Sequence, residues 1–142
     1  MKKLLMILLA CLFLTTGVFA QDFFKLVKSG TPEEVQAAID GGASVNDLPN
    51  TSLSPLMVAA EYNQNAKVIM ALLKAEATVN KKDKYGGMSP LMYAARNNSN
   101  SEVISVLLEA GANVNDIDDT FMSSLLHAAE HNSSPDVISR YC

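Results

Sequence analysis

Three stretches of the chain place apolar residues at i, i+3 and i+4: Val35, Ala38 and Ile39; Ile69, Leu72 and Leu73; Ile104, Leu107 and Leu108. That spacing lines one side of a helix, so each stretch predicts an amphipathic helix with a single buried stripe. Ahead of the second and third stands a shorter apolar run, Ser54-Pro55-Leu56-Met57-Val58-Ala59-Ala60, which returns 35 residues later as Ser89-Pro90-Leu91-Met92-Tyr93-Ala94-Ala95. A worn copy, Ser123-Ser124-Leu125-Leu126-His127-Ala128-Ala129, follows after another 34. Ser-Pro offers a cap and a first-turn proline, so each run predicts a short helix, and its paired alanines let a neighbouring helix approach closely. The helix endings recur too, as Gly41-Gly42-Ala43-Ser44-Val45-Asn46, Ala75-Glu76-Ala77-Thr78-Val79-Asn80 and Ala110-Gly111-Ala112-Asn113-Val114-Asn115. Signatures that share one period of this size predict a stacked-repeat architecture. The segment before the first full copy predicts a helix pair as well: Phe23 to Lys28, a turn at Ser29-Gly30, then Thr31-Pro32-Glu33-Glu34 as cap, first-turn proline and dipole-matched acids.

In order, these motifs resemble the ankyrin repeat, whose pattern reads Gly-x-Thr-Pro-Leu-His-x-Ala-Ala, Val-x-x-Leu-Leu, Gly-Ala-x-x-Asn. The resemblance implies an all-α solenoid of stacked antiparallel helix pairs joined by hairpin-like loops. It spans a capping repeat (22–50), two full repeats (51–85 and 86–119) and an incomplete one (120–142). The motif histidine is replaced by Met57, Met92 and Leu126, so packing is expected in place of its polar brace. Ser52 and Phe121 stand where Gly86-Gly87 supplies the turn. The helix–helix loops, Asn63-Gln64-Asn65 and Asn97-Asn98-Ser99-Asn100, carry asparagine where glycine is usual, which suggests left-handed backbone. Glu76 occupies the helix-ending position of Gly42 and Gly111, where a left-handed conformation is expected.

The first twenty residues change the picture of compartment. Lys2 and Lys3 precede an apolar run from Leu4 to Leu14, and Val18-Phe19-Ala20 is a small-residue cleavage motif, so residues 1–20 are expected to be a signal peptide cut before Gln21. Thr15-Thr16-Gly17 interrupts the run, which argues against a membrane span. Leu8-Leu9-Ala10-Cys11 also resembles a lipobox, so a membrane association would require an uncleaved leader or a lipidated Cys11. The expected location is therefore periplasmic or secreted. Cleavage takes two of the 11 basic residues and none of the 15 acidic ones, moving the net charge from −4 to −6. An acidic domain of this kind is a poor match for nucleic acid, whose binding runs on clustered Lys and Arg. With Cys11 removed and Cys142 at the end, the mature domain has no internal disulfide to draw on.

Chemistry is sparse. His127-Ala128-Ala129-Glu130-His131 matches the His-x-x-Glu-His zinc motif, but the alanines are already explained by the repeat and no third ligand follows beyond Asp136. A zinc hydrolase is carried only as a minor alternative; the sequence implies no cofactor and no catalytic residues. Three Asn-x-Ser/Thr patterns begin at Asn50, Asn97 and Asn132 and are put down to the Asn- and Ser-rich loops.

The resemblance implies a protein partner held by loop tips and the open side of the first helices. Carried over copy by copy, the candidate positions are Asn50, Thr51, Leu53, Glu61 and Tyr62; Lys82, Lys84, Tyr85, Met88, Arg96 and Asn97; and Asp119, Thr120, Met122, Glu130 and His131. The middle tip reads as basic (Lys81, Lys82, Lys84) and the last as acidic (Asp116, Asp118, Asp119). Tyr62 and Tyr85 are the aromatic candidates for a binding ridge. The last repeat stops part-way through its second helix, with Leu125, Leu126, Val137 and Ile138 poorly covered, which suggests a truncated product or an edge that self-associates, the latter carrying the alternative reading of a structural or envelope-protective protein. A β-carbon in the left-handed region costs about 1–2 kcal/mol. Glu76→Gly is therefore expected to raise stability by about 0.5–1 kcal/mol after the flexibility of glycine is subtracted. A urea midpoint that stays put or falls would refute it.

Overall fold

The computed structural model describes residues 18–48 and 52–142. The expected leader lies outside the described residues up to Gly17, and so do Asn50 and Thr51. Among the described residues eight helices run in pairs: α1 Val18–Ser29, α2 Pro32–Asp40, α3 Pro55–Tyr62, α4 Ala66–Lys74, α5 Pro90–Asn97, α6 Ser101–Glu109, α7 Ser124–His131 and α8 Pro135–Ser139. The first helices of the pairs, α1, α3, α5 and α7, pack in series as an inner layer; α2, α4, α6 and α8 form the outer layer. None of these helices is long and apolar enough to cross a membrane.

The core lies where the periodicity places it. Ile69, Leu72, Ile104 and Leu107 are fully buried between stacked pairs, with Leu73 and Leu108 half-buried beside them. Each such side chain contributes about 1.5–3 kcal/mol by leaving water. Ala59, Ala60, Ala94 and Ala95 are also fully buried, so their small size sets the close spacing of α3, α5 and α7. Val137 is buried as well, contrary to the expectation of a bare end, because α8 packs back onto α6 and α7; Leu125 and Leu126 do stay exposed.

The starts of the inner helices correct one expectation. Ser54 Oγ accepts the Met57 N–H, and the Ser54 N–H in turn reaches Met57 Sδ at 3.3 Å. Met92 does the same for Ser89 at 3.4 Å. The thioether thus closes a reciprocal cap, a polar role as well as a packing one. Leu126 has no acceptor to offer, and the last helix keeps only the Ser123 half.

A second correction concerns the asparagines. Asn63 and Asn98 sit at φ −86° and −89° in extended backbone, so left-handed tolerance is not why they are there. Their side chains tie repeat to repeat. Asn63 Nδ2 donates to the Val27 and Gly30 carbonyls, Asn98 Nδ2 to those of Ala60 and Asn63, and Asn132 Nδ2 to those of Ala95 and Asn98, all at 2.8–3.1 Å. Each Oδ1 accepts the N–H two residues on and so shapes its own loop. At the opposite end of the helices a further set points forward: Asn46 binds the Glu76 carbonyl and Thr78 N–H, and Asn80 the Gly111 carbonyl and Asn113 N–H. Glu76 itself is left-handed at φ 65°, in line with Gly42 at 98° and Gly111 at 89°.

The loop tips are built around buried carboxylates. Asp83 accepts the N–H groups of Tyr85, Gly86 and Met88 and the hydroxyl of Tyr93. Asp118 accepts from the Thr120 N–H and hydroxyl, from the Met122 N–H, and from His127 Nε2 at 2.7 Å. Asp118 was expected on an acidic surface; it is buried, and the polar brace survives here one position beyond the motif histidine. Burial pushes its pKa up, yet the bonds from Thr120, Met122 and His127 outweigh that and hold the carboxyl at about 2.

Asn98→Ala should lower stability by about 2–4 kcal/mol, because it leaves two carbonyls and an N–H unpaired around a fully buried side chain. Asn97→Ala, which removes only an exposed bond to Glu61, should cost under about 0.5 kcal/mol by the same urea titration. Equal effects would show that the buried bonds are replaceable by water. Because the folded pKa of Asp118 lies below its ordinary value of 3.8, its contribution is present above that value and drains away as pH falls through about 2. The loss should amount to about 2 kcal/mol. Asp118→Asn should flatten this part of the stability–pH curve, and an unchanged acid limb would exclude the assignment.

Candidate functional site

The inner helices all run from the loop tips towards the helix–helix loops, so one continuous face carries tips at one end and helix C-termini at the other. Tyr85 stands at the tip end, 76% exposed, with Lys84 exposed beside it. Tyr62 stands at the far end of α3, 47% exposed, with Lys28 Nζ 4.2 Å above its ring. The two tyrosines expected on a single ridge therefore mark opposite ends of the face, roughly one eight-residue helix or about 12 Å apart along its length. The cation over the Tyr62 ring is a contact that sequence spacing gave no hint of.

The other candidate positions divide. Arg96, Asn97, Asp119, Thr120, Glu130 and His131 are exposed, and Asn97 Nδ2 reaches Glu61 Oε1 at 2.8 Å, linking the ends of α3 and α5. Met88 is a correction: it is buried, its N–H and C=O both engaged by Asp83. Leu53 and Met122 are half-buried, Leu53 against the core and Met122 clamped to Asp118. Lys82 is exposed but already engaged, donating to the Ile117 carbonyl at 2.9 Å and lying 3.9 Å from Asp116. The basic and acidic tips thus partly neutralise each other, and Lys84 and Arg96 are the other exposed lysine and arginine among the candidate positions. Next to the Tyr62 end, an open polar depression of ≈ 580 Å³ is lined by Lys28, Thr31, Gln64 and Asn100 among others.

The His127–Glu130–His131 motif does not assemble a metal site. His127 is 4% exposed and committed to Asp118, while His131 stacks on its ring at 6.0 Å on the solvent side. Among the described residues no three His, Cys, Asp or Glu side chains converge as ligands. Asn132 is likewise unavailable for glycosylation in the folded chain, since both amide hydrogens are engaged.

What sequence reading missed is the scaffold under the surface. Asn63, Asn98 and Asn132, and Asp83 and Asp118, recur with the repeat, and that recurrence was the signal available. Phe121 was also undervalued: it is 79% exposed and left-handed at φ 63°, matching Gly87 at 68° one repeat earlier.

A family model of ankyrin repeats in three copies matches residues 23–118 and again 56–140. Comparison with curated proteins gave no match. Ankyrin repeats are modules that bind other proteins. The paired helices, the Ser-Pro caps, the alanine pairs and the family match over most of the described chain agree: this protein belongs to the ankyrin repeat family.

Proposed function

We propose that the chain is an exported, non-catalytic binding module, an adaptor or inhibitor-like scaffold, that holds a folded protein across its inner helices and tips. The observation that carries this reading is Tyr85, a large exposed aromatic on a loop whose backbone is pinned by three N–H bonds to one buried carboxylate. An aromatic mounted on a stiff support gives up little entropy when it binds, which is how a few residues come to dominate an interface. Tyr62, Arg96 and Asn97 extend the surface to its other end. Export to the periplasm or beyond is supported by the charged start, apolar run and small-residue motif of residues 1–20.

Affinity capture from the exporting cell, with wild type beside Tyr85→Ala and Tyr62→Ala, tests the reading. A partner using this face should lose about 2 kcal/mol, roughly thirty-fold in Kd, with the Tyr85 variant. Undiminished recovery of every partner by both variants would remove the inner face from consideration. Terminal sequencing of the exported protein should begin at Gln21.

A further inference from the structure

The hydrogen-bond rungs align the inner helices residue by residue. Val27, Ala60 and Ala95 each give a carbonyl to the asparagine of the next repeat, and Ala129 holds the same place in the last copy. The residues that follow them are Lys28, Glu61, Arg96 and Glu130. Positive, negative, positive and negative charges thus form one row across the four inner helices. Lys28, Arg96 and Glu130 are exposed and Glu61 is half-buried. Glu61 and Arg96 belong to helices packed by neighbours on both sides, so the row faces outward within the stack itself.

The row is not consumed inside the protein. Among the described residues no ion pair joins any two of its members. Three of the four are instead steadied from the side: Lys28 by the Tyr62 ring at 4.2 Å, Glu61 by Asn97 Nδ2 at 2.8 Å and Glu130 by His131 at 3.9 Å. The two layers also differ in charge. Inner helices carry three acidic and three basic residues, whereas outer helices carry six and two, so the acidity of the domain is turned away from this face. A mixed row on a balanced face calls for a partner of mixed charge, not a simply basic one.

Spacing decides what kind of segment fits. Stacked helices lie about 8–10 Å apart, which sets the step from one charge to the next. Side chains on one face of a strand recur at about 6.7 Å and then at about 13 Å, and neither matches. In an α-helix, residues seven apart return to one face after about 10.5 Å. The width agrees. Tyr62 and Tyr85 stand about 12 Å apart along the inner helices, against about 10–12 Å for a helix with its side chains and about 5 Å for a single strand. Val58 and Tyr93, one turn back from Glu61 and Arg96 on the same side of their helices, lie between those limits. We propose, on the footing that the inner face is the binding surface, that its occupant is an α-helix of a partner protein lying across the inner helices, with acidic, basic, acidic and basic residues at seven-residue intervals opposite Lys28, Glu61, Arg96 and Glu130. Charge order then selects the partner, since a helix of equal composition with its charges in blocks meets two attractions and two repulsions.

Two alanine-rich helical peptides of one composition test this, the first with Glu, Lys, Glu and Lys at every seventh position and the second with Glu, Glu, Lys and Lys. By fluorescence anisotropy the wild type should bind the alternating peptide at least about ten-fold more tightly. Glu61→Lys combined with Arg96→Glu turns the row into two cations followed by two anions at the same net charge, and should reverse the preference. A gain of binding to the blocked peptide cannot come from unfolding. Tyr85→Ala should weaken both peptides and keep their ratio. A wild type that binds neither peptide, or a preference that the double variant fails to reverse, would overturn the proposal. If Tyr85→Ala weakens both peptides while the double variant changes nothing, the inner face stands as the binding surface and the helix with its charge order falls. If neither variant changes binding, the peptides sit elsewhere and both readings fall.

Discussion

The stack depends on one interaction repeated at every level: a side-chain amide from one repeat bonded to main-chain groups of its neighbour. At the helix–helix loops the asparagine of each later repeat donates backward; at the tips the asparagine of each earlier repeat reaches forward. Every fully formed interface is therefore held at both ends by one residue from each side, with apolar stripes between. Hydrophobic burial supplies most of the cohesion but has no direction, and a stack of oily helices could slide. The amide rungs fix register, because a slip by one turn would leave two carbonyls and an N–H without their partners between the repeats.

This construction fits a stack whose described residues hold one cysteine, Cys142, and it is exposed. A solenoid is stable as a sum of repeat and nearest-neighbour terms, so a strong neighbour term makes a short array behave as one cooperative body. The buried carboxylates extend the same logic to the tips. Asp83 and Asp118 turn loops that would otherwise be loose into mounts of fixed geometry, and the residues displayed on them need little ordering when a partner arrives.

Much of this was legible in the chain and some was not, for physical reasons. Helix stripes, Ser-Pro caps and alanine pairs were readable because each follows from local periodicity, and Glu76 stood out as left-handed because its repeat-mates are glycines. Met88 and Asp118 were misread because exposure at a tip is decided by which way a loop folds over its own polar groups. Nothing in the spacing of Asp118 says that four donors will converge on it. The asparagines read in sequence as backbone features, since their true partners lie some 33 to 38 residues away. Lys28 over Tyr62 and Lys82 beside Asp116 are likewise contacts between repeats, invisible until the repeats are stacked.

The methionine sulfurs that close the inner-helix caps carry a consequence of their own. Met57 and Met92 are fully buried, each thioether facing the N–H of its capping serine. A peroxide molecule reaches them only when a repeat swings away from its neighbour, and sulfoxide formation converts the cap acceptor into a bulkier, polar group. The pair are thus built-in clocks, one per full repeat, whose oxidation in mild peroxide records how often each joint of the array breathes.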